Sequence, residues 1–284
     1  MKLASVEIGG AQRFGAITER GFVDLAKPFA GRCADLRELL ASGLLGEAQR
    51  IARDAAAVPV EGLAFARVIP NLEARMFALG WSYKDHQLET GKEAPTHPFI
   101  FSKHPQAMVG HRQPLHKPRA SERYDYEGEI AIVIGKAGRH IAPERVMDHI
   151  AGYSIMMDGS ARDWQQHSVT AGKNFDASSA YGPWLVTRDE IPDPGKMELV
   201  TRIDGNEMQR VSFSLMAWKL DELVSYVSTF CRLEPGDSIS TGTPGGVGNK
   251  RKPPVYLAPG NVLTVEVSGI GILENPVIDE PADP

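Results

Sequence analysis

Along residues 2–24 apolar and polar positions alternate around Gly9, Gly10 and Gly21, the period of short antiparallel strands joined by turns. The period then changes. Within residues 35–57, Leu36, Leu39 and Leu40 and, beyond Gly43, Ala48, Ile51 and Ala52 recur at helical spacing, which predicts one helix broken near Gly43 or two helices. Val58-Pro59-Val60 and Ile69-Pro70-Asn71 mark a connection, because a proline turns its predecessor away from helix. A domain boundary near Pro70 follows, separating a small N-terminal α+β unit, residues 1–70, from residues 71–284.

Beyond that boundary the pattern is mainly β. Met76–Gly80 reads as a buried strand, and residues 84–90 as a short polar helix. Residues 127–134 start polar and pass into an unbroken apolar run, as in a strand whose far end is buried on both faces. Residues 153–157 form a second such strand ending at Asp158. Leu220, Leu223, Val224 and Val227 make a helical stripe, and Leu263, Val265 and Val267 alternate with Thr264, Glu266 and Ser268 in a strand with one wet face. No period of about 20 to 50 residues repeats, which excludes a solenoid. The whole is a mainly β, α+β chain.

Composition changes this picture little: 284 residues, 42% apolar and 24% charged, describe a packed chain long enough to bury a core. With 31 basic against 36 acidic residues the net charge is -5. There is no positive field for a phosphate backbone, so nucleic acid is not an expected partner. Cys33 and Cys231 suit reduced, inert thiols. The N-terminus lacks the apolar core of a signal peptide and no run reaches membrane-spanning length, so the expected compartment is the cytoplasm, with no membrane partner.

The chemistry concentrates in carboxylates. In a strand, residues i and i+2 project from one face, so Glu127 and Glu129 can converge on one ion, with Gly128 leaving room on the other face. Two such anions repel unless a cation or a shared proton compensates them. Asp158 can complete a three-carboxylate set of the kind that takes Mg²⁺ or Mn²⁺ rather than zinc and leaves positions open for substrate and water. Taken alone, a Glu-x-Glu strand start is more often a solvated edge. His86 and Glu89, three apart, share a helix face as a general-base dyad, although a surface pair is the commoner reading of that spacing. Lys173, between Gly172 and Asn174, reads as a loop lysine, usually solvated. Residues 241–248, Thr-Gly-Thr-Pro-Gly-Gly-Val-Gly, follow a short strand and can bring backbone N–H groups toward an anionic ligand, but match neither a P-loop nor a dinucleotide fingerprint.

In order along residues 68–277, these segments resemble the fumarylacetoacetate hydrolase (fumarylacetoacetase-like) family. The resemblance rests on Tyr83, His86 and Glu89; on Pro98, Phe101 and Lys103; on residues 125–129, Asp-Tyr-Glu-Gly-Glu; on Gly152 and Tyr153 through Asp158 to Ala161-Arg162-Asp163; on Gly172-Lys173 with Gly182-Pro183-Trp184; and on residues 241–248. It implies a distorted β-sandwich or β-roll core, usually in a homodimer, with Mg²⁺, Mn²⁺ or Ca²⁺ at Glu127, Glu129 and Asp158. It further implies that His86 with Glu89 handles a water or a proton, that Lys173 meets the substrate oxyanion, and that Tyr83, Lys103, Arg162 and Thr243 contact the substrate. Ser82, where many relatives have Asn, and residues 176–179 depart from the common pattern.

The expected substrate is a small 2-oxo acid or β-diketo acid. The leading expectation is metal-dependent hydrolytic C–C cleavage of an acylpyruvate such as fumarylpyruvate, narrowly ahead of tautomerisation or isomerisation of a 2-hydroxymuconate-type diacid and of oxaloacetate decarboxylation. A catalytically silent metabolite-binding protein ranks last, because the carboxylates, His86 and Lys173 are all retained.

Overall fold

The computed structural model describes residues 1–84 and 95–282. Strands β1 (Lys2–Ile8), β2 (Ala11–Thr18) and β3 (Gly21–Asp24) form an antiparallel meander. Two helices follow, α1 (Leu36–Ser42) and α2 (Leu45–Asp54). The Asp35 side chain caps α1 by accepting from Glu38 N, and Gly43 ends it at φ 71°, a left-handed conformation that costs glycine little. The break in the helical pattern is therefore two helices.

The next strands are β4 (Ala64–Phe65), β5 (Met76–Gly80), β6 (Phe99–Lys103), β7 (Met108–Val109), β8 (Leu115–Lys117), β9 (Tyr124–Asp125), β10 (Gly128–Ile134), β11 (Ile150–Met157) and β12 (Ser160–Ala161). After the short helix α3 (Val169–Lys173) come β13 (Ser179–Thr187), β14 (Glu198–Ile203) and β15 (Asn206–Ser212), then α4 (Leu220–Phe230), β16 (Ser238–Ser240), β17 (Val262–Val267) and β18 (Gly271–Asp279). One long sheet runs β3-β2-β1-β13-β11-β10-β16-β5-β6, with β4 and β7 attached to β1 and β13. A second runs β15-β14-β17-β18-β8, and β9 pairs with β12 on its own.

Strand β10 explains how the layers stack. Its Ile130, Ile132 and Ile134 join Leu199, Val265 and Leu273 of the second sheet in the main core. Its Ala131 and Val133 belong instead with Met156, Tyr181 and Leu185 and with Leu36, Leu39 and Leu40 of α1. A strand covered on both faces reads as a continuous apolar run, which is why residues 130–134 do not alternate. The two sheets make the sandwich, and the α1–α2 layer covers the outer face of the long sheet.

Gly128 does not leave open space on its far face. A Cβ there would lie 2.1 Å from Thr201 Oγ1 and 3.1 Å from Val265 Cγ1, so glycine is what lets the second sheet approach. No helix among the described residues is long and apolar enough to cross a membrane.

Candidate metal and substrate site

Strands β10 and β11 pair antiparallel with Gly128 opposite Met157, and the Asp158 amide donates to Glu127 O at 2.9 Å. Glu127 and Asp158 thus face each other at one end of the pair. Glu129, two residues along, projects from the same face, and one carboxylate oxygen from each of the three lies within 4.8 Å of the others. All three are buried. Ligands about 2.0 to 2.6 Å from a hard cation are separated by roughly that span or less, so the set fits one ion. Asp158 Oδ1 is buried and makes no hydrogen bond, although the Lys103 ammonium lies 2.8 Å away, so it keeps lone pairs that a metal cation can take.

Neighbouring elements hold these groups in place. Ser240 of β16, beside β10, donates its hydroxyl to Glu129 Oε2, which also accepts from Gly242 N at 3.0 Å. Lys173 Nζ bridges Glu127 Oε2 at 2.5 Å and Asp158 Oδ2 at 2.7 Å. Lys103, at the end of β6, donates to Lys173 O and to Ser179 Oγ at 3.0 Å. Its Nζ also lies 2.8 Å from Asp158 Oδ1, an ion pair angled away from a hydrogen bond. The β9–β12 pairing sets Ser160 opposite Asp125 and brings Arg162 alongside. Arg162 Nε then donates to Asp125 Oδ2 at 2.8 Å and Nη2 to Glu127 Oε1 at 2.6 Å.

Four buried carboxylates, of Asp125, Glu127, Glu129 and Asp158, therefore meet three cations, Lys103, Lys173 and Arg162, which leaves one negative charge. Burial and then the Asp158 and Glu127 charges push the Glu129 carboxyl well above its ordinary range. A divalent cation would remove that repulsion. Burial works against the Lys173 ammonium, but Asp158 and Glu127 outweigh it and raise its pKa, so it stays charged. Burial dominates for Lys103, whose pKa falls although Asp158 opposes the shift. The difference follows from the contacts: Lys173 touches two carboxylates, whereas Lys103 touches one and feels the Lys173 charge.

The site opens into a cavity of about 300 Å³. Glu127, Arg162 and Lys173 line it together with the apolar Leu79, Trp81, Phe99, Phe101, Val169 and Val247, with Gly80, and with the polar Gln165, Thr243, Asn249 and Lys250. Trp81 and Phe99 meet with ring centroids 4.8 Å apart and their planes tilted by 48°.

Of the residues expected from sequence, Glu127, Glu129, Asp158, Lys173, Arg162, Lys103 and Thr243 come together here. Lys173 is not a solvated loop residue: it ends α3 and is buried, because Gly172 lets α3 pack where a Cβ would meet Gln165 Cγ at 2.2 Å. Thr243 Oγ1 donates to Gly128 O at 3.0 Å and accepts from Gln209 Nε2 at 2.8 Å, which makes it a brace as well as a lining residue. Tyr83 lies in the main core, its backbone bridged to Met216. His86 and Glu89 lie outside the described residues.

Three backbone amides within residues 241–249 do turn toward anions, but the protein's own: Gly242 N to Glu129, and Gly248 N and Asn249 N to Asp125 at 2.8 and 3.0 Å. Asp125 opens the 125–129 motif and extends the i, i+2 series of Glu127 and Glu129, but the sequence alone assigns it no role of its own. Gln209, reaching from β15 to accept from Gly128 N at 3.0 Å, carries no local signal. Asn249, Gln165 and Lys250 read as ordinary polar loop residues.

Residues 75–278 match the sequence profile described as fumarylacetoacetate (FAA) hydrolase C-terminal. The chain belongs to the fumarylacetoacetate hydrolase family. Within that family it is 40% identical over 208 residues to the mitochondrial oxaloacetate tautomerase of Xenopus laevis, a match spanning 72% of this chain and 65% of the relative. Among solved structures, a fumarylacetoacetate hydrolase from Exiguobacterium antarcticum superposes with TM-score 0.87 at 33% identity, covering 99% of this chain and 100% of that one. A 5-carboxymethyl-2-hydroxymuconate delta-isomerase from Mycobacterium smegmatis gives TM-score 0.78 at 30% identity, again over 99% and 100% of the two chains. The mainly β sandwich expected for this family is the fold observed.

Proposed function

We propose that this chain is a divalent-metal-dependent enzyme that forms the enolate of a small 2-oxo acid, with keto–enol tautomerisation or double-bond isomerisation as its net reaction. The observation that carries this reading is the buried Glu127, Glu129 and Asp158 cluster with Lys173 bridging two of its members at the base of a cavity. When bound, Mg²⁺ or Mn²⁺ supplies Lewis acidity toward the carboxylate and 2-oxo oxygens of a chelating substrate.

The remaining work falls to the chain. Glu127, Glu129 and Asp158 hold the cation, and Ser240, Gly242 N–H, Lys103 and Arg162 fix those carboxylates before substrate arrives. Lys173, charged and facing the cavity, stabilises the negative charge that grows on the substrate oxygen as C3 loses its proton. The rings of Trp81, Phe99 and Phe101 keep that part of the cavity apolar, where an oriented charge counts for more than it does in water. His86 with Glu89 takes and returns the C3 proton, a role resting on their spacing in sequence.

Proton transfer stands ahead of cleavage because it needs no water placed at a distal carbonyl, and because the tautomerase and the isomerase among the relatives are named for it. Hydrolytic C–C cleavage remains a second reading, favoured by the 33% identity to a fumarylacetoacetate hydrolase. It uses the same enolate, with His86 and Glu89 directing a water. The discriminating experiment supplies oxaloacetate, acetylpyruvate and fumarylpyruvate to the Mn²⁺-loaded enzyme in ¹⁸O water and in deuterated water. Accelerated enol–keto interconversion and C3 exchange without carbon–carbon cleavage are expected. Release of pyruvate with an acid carrying ¹⁸O would put hydrolysis first.

A further inference from the structure

Asp125 is a fourth buried carboxylate beside the metal cluster, and the enolate chemistry gives it no role. It is not one of the three whose oxygens converge on the candidate ion. Four donors from within the chain take its oxygens instead. Oδ1 accepts from Tyr126 N at 2.9 Å and Gly248 N at 2.8 Å, and Oδ2 from Asn249 N at 3.0 Å and Arg162 Nε at 2.8 Å. Residue 248 admits this approach only as glycine, since a Cβ there would lie 2.6 Å from Asp125 Oδ1 and 1.8 Å from Val255 O. The guanidinium that Asp125 holds also donates from Nη2 to Glu127 Oε1 at 2.6 Å, while Lys173 takes Glu127 Oε2 at 2.5 Å. Both oxygens of one metal ligand therefore already face a cation. Burial works against the Arg162 charge, but the Glu127 and Asp125 carboxylates outweigh it and raise its pKa, so Arg162 stays charged.

We propose that Asp125 tunes the charge of the metal site from behind: by compensating Arg162, it lets that guanidinium orient Glu127 without cancelling the negative charge that Glu127 offers a divalent cation. The proposal rests on the metal reading of Glu127, Glu129 and Asp158 and adds to it the group that balances their surroundings. In formal charges, four carboxylates against three cations leave one negative charge. Without Asp125, three meet three and the cluster is neutral. A buried site that has lost its net charge attracts Mg²⁺ or Mn²⁺ less, although all three ligands are still present. Asp125 is thus a positioning residue that acts through Arg162. The competing role is that of a brace that only holds Gly248 and Asn249 in place, for which its charge would be immaterial.

The two roles separate in a double-mutant cycle read by the Mn²⁺ affinity of the metal-free full chain, measured by electron paramagnetic resonance alongside thermal unfolding. Asp125→Asn, which removes one negative charge, should weaken Mn²⁺ binding about tenfold or more. Arg162→Gln, which removes one positive charge, should bind Mn²⁺ at least as tightly as wild type. With both changes in one chain the cluster returns to one net negative charge. Affinity should then recover to within about threefold of wild type, even though the melting temperature stays lowered. A brace predicts the opposite, a double variant no tighter than Asp125→Asn. That result, wild-type affinity in Asp125→Asn, or weaker binding in Arg162→Gln would each overturn the proposal. Should Asp125→Asn fail to fold, Arg162→Gln decides alone. Absence of Mn²⁺ binding by the wild-type chain would overturn the metal reading and the proposal with it.

Discussion

Glu129 is buried beside Asp158 and Glu127, and burial together with those two neighbouring charges holds its carboxyl well above its ordinary range. The same physics, in a simpler form, governs His111, well away from the site. It is buried, accepts from Glu274 N at 3.1 Å and meets the Phe65 ring edge-on with centroids 5.2 Å apart; burial, helped by Arg112, pulls its pKa from 6.5 to about 4. An unfolded chain takes up that proton near pH 6.5, whereas the folded chain resists until about pH 4. Stability is therefore fully present above pH 6.5 and declines as pH falls through that window, by up to about 3 kcal/mol from this residue. Urea denaturation of wild-type protein and of His111→Gln, which keeps an acceptor near Glu274 N–H but does not titrate, should show the variant less stable at pH 7 and less dependent on pH between 6.5 and 4.5. Parallel pH profiles would refute the assignment.

At the scale of elements, the β10–β11 pair is where sequence and structure correspond most closely. The i, i+2 spacing of Glu127 and Glu129 and the apolar run after them specify a strand, a face and a convergence, and all three are observed. The far side of Gly128 was not legible, because Thr201 and Val265 reach it from a sheet formed 73 and 137 residues later, and no local pattern records such a partner. Lys173 was hidden in a similar way: its immediate neighbours look like a loop, and its burial comes from the packing of α3 against Gln165 and from its contacts with Glu127 and Asp158. Gly128→Ala should destabilise the protein by about 1 to 3 kcal/mol through overpacking against Thr201. Thr201→Ala in the same chain, which removes the hydroxyl 2.1 Å from the added Cβ, should restore part of that loss in a denaturation experiment. If the single variant is as stable as wild type, the close approach of the sheets at this point is wrong.

Across the whole molecule, the N-terminal meander is continuous with the long sheet. Lys2 and Leu3 of β1 pair with Val186 and Leu185 of β13, and the terminal ammonium reaches Thr187 Oγ1 at 2.5 Å and Glu190 Oε1 at 3.0 Å. The α1–α2 layer packs behind the strands that carry the carboxylates, sharing a core with Ala131, Val133 and Met156. Alternation and helical spacing disclosed these elements one by one. Their order in the sheet, β1 beside β13 and β16 between β10 and β5, is set by contacts distant in sequence, and periodicity carries none of that information. The site draws on five separated stretches of this assembly, so its central claim is best tested in the intact chain. Titration of metal-free protein with Mn²⁺, followed by electron paramagnetic resonance, is predicted to show one tight ion per chain in wild type. Asp158→Asn should weaken that affinity tenfold or more, since it removes the charge of one of three anionic ligands and replaces one of its oxygens with an NH₂ group that cannot ligate. Unchanged stoichiometry and affinity in Asp158→Asn would contradict the assignment of the buried carboxylates as the metal site.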